Sequence, residues 1–157
     1  MLLNSKFDVL RGWPREGALD ETFGIHQTVA GTDDSLPLGT VVVIGASDGF
    51  AVAAPASPNR TTTNALATWV VVAGNDDFSG IFTKKVTCLR SNALLRLDPA
   101  NYTGAPTVGQ KLTFSTSVVG KWTVAVATNQ IIGEVVSVNS TDNTIVVMYT
   151  ASNESSF

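Results

Sequence analysis

Residues 131–149 read IIGEVVSVNSTDNTIVVMY, and this stretch decides the fold class. Two segments rich in β-branched residues, 131–138 and 144–149, flank the polar sequence STDN at 140–143. β-branched side chains favour extended strands, while Ser, Asp and Asn favour tight turns because their side chains bond to nearby backbone. The stretch therefore predicts two strands joined by a short turn.

The same pattern extends towards the N-terminus. Residues 111–115 and 121–126 alternate polar and apolar side chains, as half-buried strands do, and Gly120 stands in a turn position between them. Further strands are predicted at 40–44, 50–53, 68–72, 83–89 and 93–97. No segment has a convincing helical period, and only a short helix near 60–67 is considered. We expect an all-β chain: a small β-barrel or sandwich of about eight short antiparallel strands.

Residues 1–39 differ from the rest of the chain in their hydrophobic pattern, because their hydrophobic residues follow no sustained period. We interpret 1–39 as an extended N-terminal arm with one or two short strands, and 40–157 as the β domain. So long an irregular stretch is unusual inside a compact domain, which favours contact with another subunit. Trp and Arg are common interface anchors, although Trp13 could equally pack on its own domain. The candidate intersubunit contacts are Phe7, Leu10, Arg11, Trp13 and Phe23.

The charge is low for a surface that must stay in solution. Of 157 residues, 15% are charged, the net charge is −3 and the isoelectric point is about 4.9. This balance argues against a nucleic-acid partner bound through bulk positive charge. No apolar run reaches 18 residues and the N-terminus lacks the apolar core of a signal peptide, so we expect no membrane partner and synthesis in the cytoplasm. The low charge favours a surface covered by other subunits.

Residues for catalysis or metal binding are scarce. His26 is the one histidine and Cys88 the one cysteine, so a catalytic triad would have to use His26 and a zinc site is nearly excluded. Cys88 lies in a predicted strand and is expected to pack in the core. The acidic pairs at 33–34 and 76–77 lack the spacing of a calcium loop. We therefore expect a non-enzymatic protein without a metal or cofactor.

The C-terminal third also carries a resemblance. It runs through Gly109-Gln110-Lys111-Leu112, then Gly120-Lys121, then Ile132-Gly133-Glu134-Val135, and closes with a valine-rich strand. This series resembles the small β-barrel of tailed-phage capsid decoration, or cement, proteins, and the centre at 66–77 is similar to phage structural proteins. The similarity covers roughly residues 40–150. It implies a virion protein, made in the host cytoplasm, that binds the major capsid protein on the shell's outer surface as a dimer or trimer.

Two other functions fit the same fold class. One is a tail-tube or head–tail joining protein, because such rings also combine β-barrels with long arms. The other is a carbohydrate-binding β-sandwich, for which Trp13 or Trp122 could supply an exposed aromatic platform. Stacked rings in negative-stain images would indicate the first, and a tryptophan fluorescence change with oligosaccharide would indicate the second.

Overall fold

A computed structural model describes residues 6–12, 20–24, 36–44, 51–53, 67–75, 85–115 and 117–150. These residues form eleven β-strands and one short 3-10 turn at Pro99–Asn101, which confirms the all-β class but exceeds the eight strands expected. The strands are β1 (Asp8–Arg11), β2 (Asp20–Gly24), β3 (Val41–Ile44), β4 (Ala51–Ala53), β5 (Trp69–Asn75), β6 (Lys85–Leu89), β7 (Ala93–Leu97), β8 (Lys111–Phe114), β9 (Trp122–Val124), β10 (Gly133–Asn139) and β11 (Thr144–Tyr149).

The strands lie in two antiparallel sheets. The first has six strands in the order β1-β7-β11-β10-β8-β9, and the second has five in the order β2-β6-β5-β3-β4. Within the described ranges neither sheet closes on itself, so the fold is a sandwich and not a barrel. Outside the named strands, Tyr102 forms a parallel bridge with Trp122 along the outer edge of β9.

Two strands fall inside the predicted N-terminal arm. β1 pairs with β7, and β2 pairs with β6, so both extend the sheets of their own chain where we expected contact with another subunit. Leu36 is also buried within the chain. Pairing satisfies backbone N–H and C=O groups without any hydrophobic period, which explains why the sequence pattern there is weak. The division at residue 39 stays a prediction, and the short helix considered near 60–67 lies outside the described residues.

The main core lies between the two sheets. It takes Val41, Val70 and Leu89 from the five-stranded sheet and most of its other members from the six-stranded sheet. Trp122 is fully buried there, as its place in an apolar strand predicts. Phe7, just before β1, also belongs to this core. The two sheets are thus held together by a continuous apolar layer, the dominant favourable term in folding.

The five-stranded sheet is buried on its second face as well. Val42, Val71, Val86 and Cys88 form a separate buried cluster there, and Trp69 packs half-buried against it. Burial on both faces explains why β3 and the start of β5 are unbroken apolar runs instead of alternating ones. The expectation that Cys88 packs as a small buried hydrophobe is confirmed.

Two buried side-chain hydrogen bonds connect the sheets. The indole Nε1 of Trp122 donates to the carbonyl of Gly39 at 2.9 Å, and the hydroxyl of Tyr149 donates to the carbonyl of Thr68 at 2.9 Å. The two rings meet edge to face, with centroids 6.0 Å apart. A buried Trp or Tyr needs a partner for its polar atom, and here both partners lie at the entrance to a strand of the opposite sheet.

Gly39 occupies the tightest point of this connection. Its φ is +84°, a conformation that glycine adopts without steric cost. A Cβ built on it would lie 2.7 Å from Phe7 Cδ2 and 2.8 Å from the side chain of Asn101. Both the backbone conformation and the surrounding space therefore require glycine at this position.

We predict that Gly39→Ala lowers the free energy of unfolding by about 2–4 kcal/mol, since strain at positive φ and overpacking add. The matched control is Gly104→Ala, because Gly104 has φ +78° but a Cβ added to it would meet no heavy atom within 4 Å. It should cost only about 1 kcal/mol, for the backbone strain alone. Urea unfolding measures both, and equal losses would contradict the close packing at Gly39.

Candidate interaction surface

The structure separates the five candidate contact residues. Phe7 is 8% exposed in the chain's own core, whereas Leu10 is 41% exposed and Arg11 is exposed on β1. Phe23 pairs through its backbone with Val86, and its side chain lies outside the described part of the chain, as does all of Trp13. Of the five, Leu10 and Arg11 are thus placed on the described surface.

The few candidates for chemistry do not come together in the described structure. His26 and the acidic pairs at 33–34 and 76–77 lie outside it. Glu134 forms an ion pair with Lys111 on the neighbouring strand β8. Among the described residues, no group of three or more His, Cys, Asp or Glu side chains could hold a metal ion. The expectation of a protein without an enzyme site stays a prediction.

A shallow groove of about 310 Å³ lies beside the β10–β11 hairpin. Tyr102, Pro106 and Val138 line it, and Tyr102 is the ionisable side chain among its lining residues. The Tyr102 hydroxyl donates to the carbonyl of Asn143. Burial, followed by the charges of Asp98 and Asp142, raises the pKa of Tyr102 above its usual value. A neutral, hydrogen-bonded phenol stabilises this corner and offers no acid–base pair.

Four exposed valines stand at the turns around the β8–β9 hairpin. We call them the valine turns: Val108, Val118, Val119 and Val126. Val108 and Val126 lie at one end, where β8 begins and β9 ends, because Ala125 N donates to the Lys111 carbonyl. Val118 and Val119 lie at the other end. Val108 is 63% and Val126 64% exposed, although turn tips usually carry Gly, Asn, Asp or Ser.

Polar side chains fix each of these turns. Gln110 Oε1 accepts the Thr107 N–H at 2.8 Å, beside Val108. Asn129 Oδ1 accepts the N–H of Val126 at 2.9 Å, and at the other end of the hairpin Ser115 Oγ accepts the N–H of Val118 at 3.1 Å. The exposed valines are therefore presented by rigid turns, which lowers the conformational entropy lost when a partner binds.

A second apolar surface is the outer face of the six-stranded sheet, which points away from the core. On strands β10 and β11 it exposes Val136 and Met148, with Met148 41% exposed. The ion pairs Asp8–Arg96, at 3.4 Å, and Lys111–Glu134 flank it on either side. An apolar centre bordered by charges is typical of protein interfaces.

Sequence reasoning missed the valine turns. The signal was present, since Val108 precedes Gly109 and Val118-Val119 precedes Gly120, so an apolar residue stands next to a glycine with positive φ. A bulky apolar residue inside a confidently predicted turn is the signal that would have located these exposed valines.

Comparisons with known proteins assign no family to the chain. No protein-family model matches it, and no curated protein and no solved structure shows significant similarity to it. In the described ranges, no helix has the length and apolar character needed to cross a membrane. The function must therefore be argued from the surfaces themselves.

Cys88 should titrate only when the protein unfolds. Burial raises the pKa of its thiol from 9.0 to about 12, so the thiol stays neutral in the fold. In the unfolded state the Cys88 thiol ionises above pH 9, whereas in the fold it stays protonated. This ionisation favours the unfolded state, so the stability that is complete below pH 9 falls as the pH rises towards 12. We predict a loss of about 1 kcal/mol between pH 9 and pH 10 that Cys88→Ala removes, measured by urea unfolding. Rapid labelling of native Cys88 by a thiol reagent would contradict this.

Proposed function

We propose that this chain is a non-enzymatic structural protein that binds the outer surface of a phage capsid and stabilises the shell by bridging neighbouring capsomers. The valine turns carry the proposal. They expose four apolar side chains at the two ends of one hairpin, on turns that side-chain hydrogen bonds hold, and such apolar tips suit contact with a partner. The low charge of the chain and the resemblance to capsid decoration proteins support the same role.

Binding through turns suits a repeating shell. Each apolar contact is small, but many copies on a symmetric lattice bury area at every junction between capsomers. Rigid turns also keep the cost of ordering low. We infer that the major capsid protein is the partner and that Val108 and Val126 enter apolar depressions on its outer surface.

The carbohydrate-binding alternative loses one of its two candidate platforms. Trp122 is fully buried and its indole nitrogen is bonded to Gly39, so it cannot stack on a sugar ring. Trp13 lies outside the described residues. For a tail-tube or joining protein, negative-stain images of the purified chain provide the test, since stacked rings would replace the capsid-surface proposal.

We predict that Val108→Asp and Val126→Asp each weaken shell binding at least about tenfold, because a carboxylate must lose its hydration in an apolar contact. The measurement is co-sedimentation with shells assembled from the major capsid protein that this proposal requires in the same genome. Thr141→Asp, on the exposed β10–β11 turn, adds the same charge elsewhere and should bind like the wild type.

Two results would overturn the proposal. One is a wild-type chain that fails to sediment with these shells at micromolar concentration. The other is normal binding by both valine variants, which would remove the turns from the contact. A genomic neighbourhood without a major capsid gene would also argue against the capsid role.

A further inference from the structure

The register of the six-stranded sheet arranges its outer face in two rows. Each row takes one residue from each of β1, β7, β11 and β10, in that order. The first row is Arg11, Leu94, Met148 and Glu134. The second row is Asp8, Arg96, Val146 and Ser137. Paired residues of neighbouring antiparallel strands point to the same face, so these side chains form one continuous surface.

We propose that this outer face binds a second copy of the chain, through a two-fold axis that crosses the strands between the two rows. A two-fold interface joins the same patch on both copies, so the patch must complement itself. Rotation about this axis places each strand opposite the same strand of the second copy, running in the reverse direction. The first row of one copy then meets the second row of the other.

The charges match in this arrangement. On β1, Arg11 of each copy faces Asp8 of the other, which gives two intermolecular ion pairs at one side of the interface. Asp8 already lies 3.4 Å from Arg96 within its own chain, so each Asp8 would join a three-membered charge network. On β10, the Glu134 carboxylate faces the Ser137 hydroxyl of the second copy, an acceptor opposite a donor.

The centre of the patch also matches. On β11, the exposed Met148 meets the half-buried Val146 of the other copy, twice around the axis. On β7, Leu94 lies against the aliphatic stem of Arg96, a side chain that covers apolar surface while its charged end stays in water. On all four strands the facing side chains are thus complementary, whereas an arbitrary surface would bring like charges or mismatched polar and apolar groups together on some of them.

The size of the patch sets the expected affinity. The outer two of four strands spaced about 4.8 Å apart are separated by about 14 Å, and the two rows lie about 7 Å apart, so the patch is smaller than the roughly 800 Å² per partner of a standard stable interface. We therefore expect a reversible dimer with a dissociation constant in the micromolar range. Added salt should weaken the dimer, because its ion pairs lie at the exposed border.

The dimer does not depend on the capsid role, since it uses a different surface. Where both hold, the axis across the strands brings the β9 edges of the two copies, and with them both sets of valine turns, to the same side of the dimer. A shell-binding role for this shared side of the dimer rests on the proposed function. A wild-type chain that dimerises but does not bind shells would refute only the capsid role, and a wild-type monomer that binds shells would refute only the dimer.

Sedimentation velocity of the full chain, from about 1 µM to about 1 mM, tests the dimer. The wild type should shift from monomer to dimer over this range. Met148→Glu should weaken the dimer at least tenfold, because it buries two carboxylates at the axis. Thr141→Glu adds the same charge to the exposed β10–β11 turn, outside the two rows, and should dimerise like the wild type. Circular dichroism verifies that both variants keep the β fold.

A charge exchange tests the axis itself. Arg11→Asp alone places like charges together across the interface and should weaken the dimer about tenfold, and Asp8→Arg alone should do the same. The double exchange should dimerise more tightly than either single variant, because the facing pair is again opposite in sign, but less tightly than the wild type, because Asp8→Arg also removes the partner of Arg96. Both positions are exposed, so the fold tolerates the changes.

Any one of four other results would overturn the dimer proposal. A wild type that stays monomeric at the highest concentration excludes the second copy as the occupant. A Met148→Glu protein that dimerises normally moves the association to another surface. A double exchange no better than either single one excludes this axis. A monomer whose shell binding is lost in Met148→Glu would assign the face to the shell instead.

Discussion

The sandwich depends on two buried donors that each reach the backbone of the opposite sheet. Hydrophobic burial holds the sheets together, but it is non-directional and does not fix how one sheet lies on the other. Trp122 and Tyr149 supply the direction, because their donors must find a carbonyl or remain unsatisfied in the core. Their partners, Gly39 and Thr68, precede β3 and β5, so the two bonds fix where the chain enters the second sheet.

The sequence predicts most accurately the strands that are flanked by turn-forming residues. The bounds predicted for β7 and β11 agree with the structure, because turn-forming residues flank a β-branched or leucine-rich run. β1 and β2 were not placed, since they are edge strands held by pairing with residues far along the sequence. β5 continues through Gly74 to Asn75, where we expected it to stop, because pairing with β6 outweighs the local preference for a turn.

The outer face could not have been read from the sequence. Strict alternation would place Glu134 and Val136 on one face with Val138, yet the structure pairs Ser137 with Val146 on that face. A bulge between Val135 and Ser137 inserts the extra residue and reverses the alternation after it. A second bulge on β1 does the same between Val9 and Arg11. A bulge depends on two strands at once, so the periodicity of one strand does not reveal it.

The two edges of the six-stranded sheet are poorly suited to the addition of further strands. On one side, Tyr102 bridges to Trp122 and occupies the border of β9. On the other, β1 has only four residues, carries Asp8 and Arg11 and is bent by its bulge. Short, charged and bulged edges resist the addition of further strands. The described edges of this sheet therefore protect it against open-ended growth into fibres.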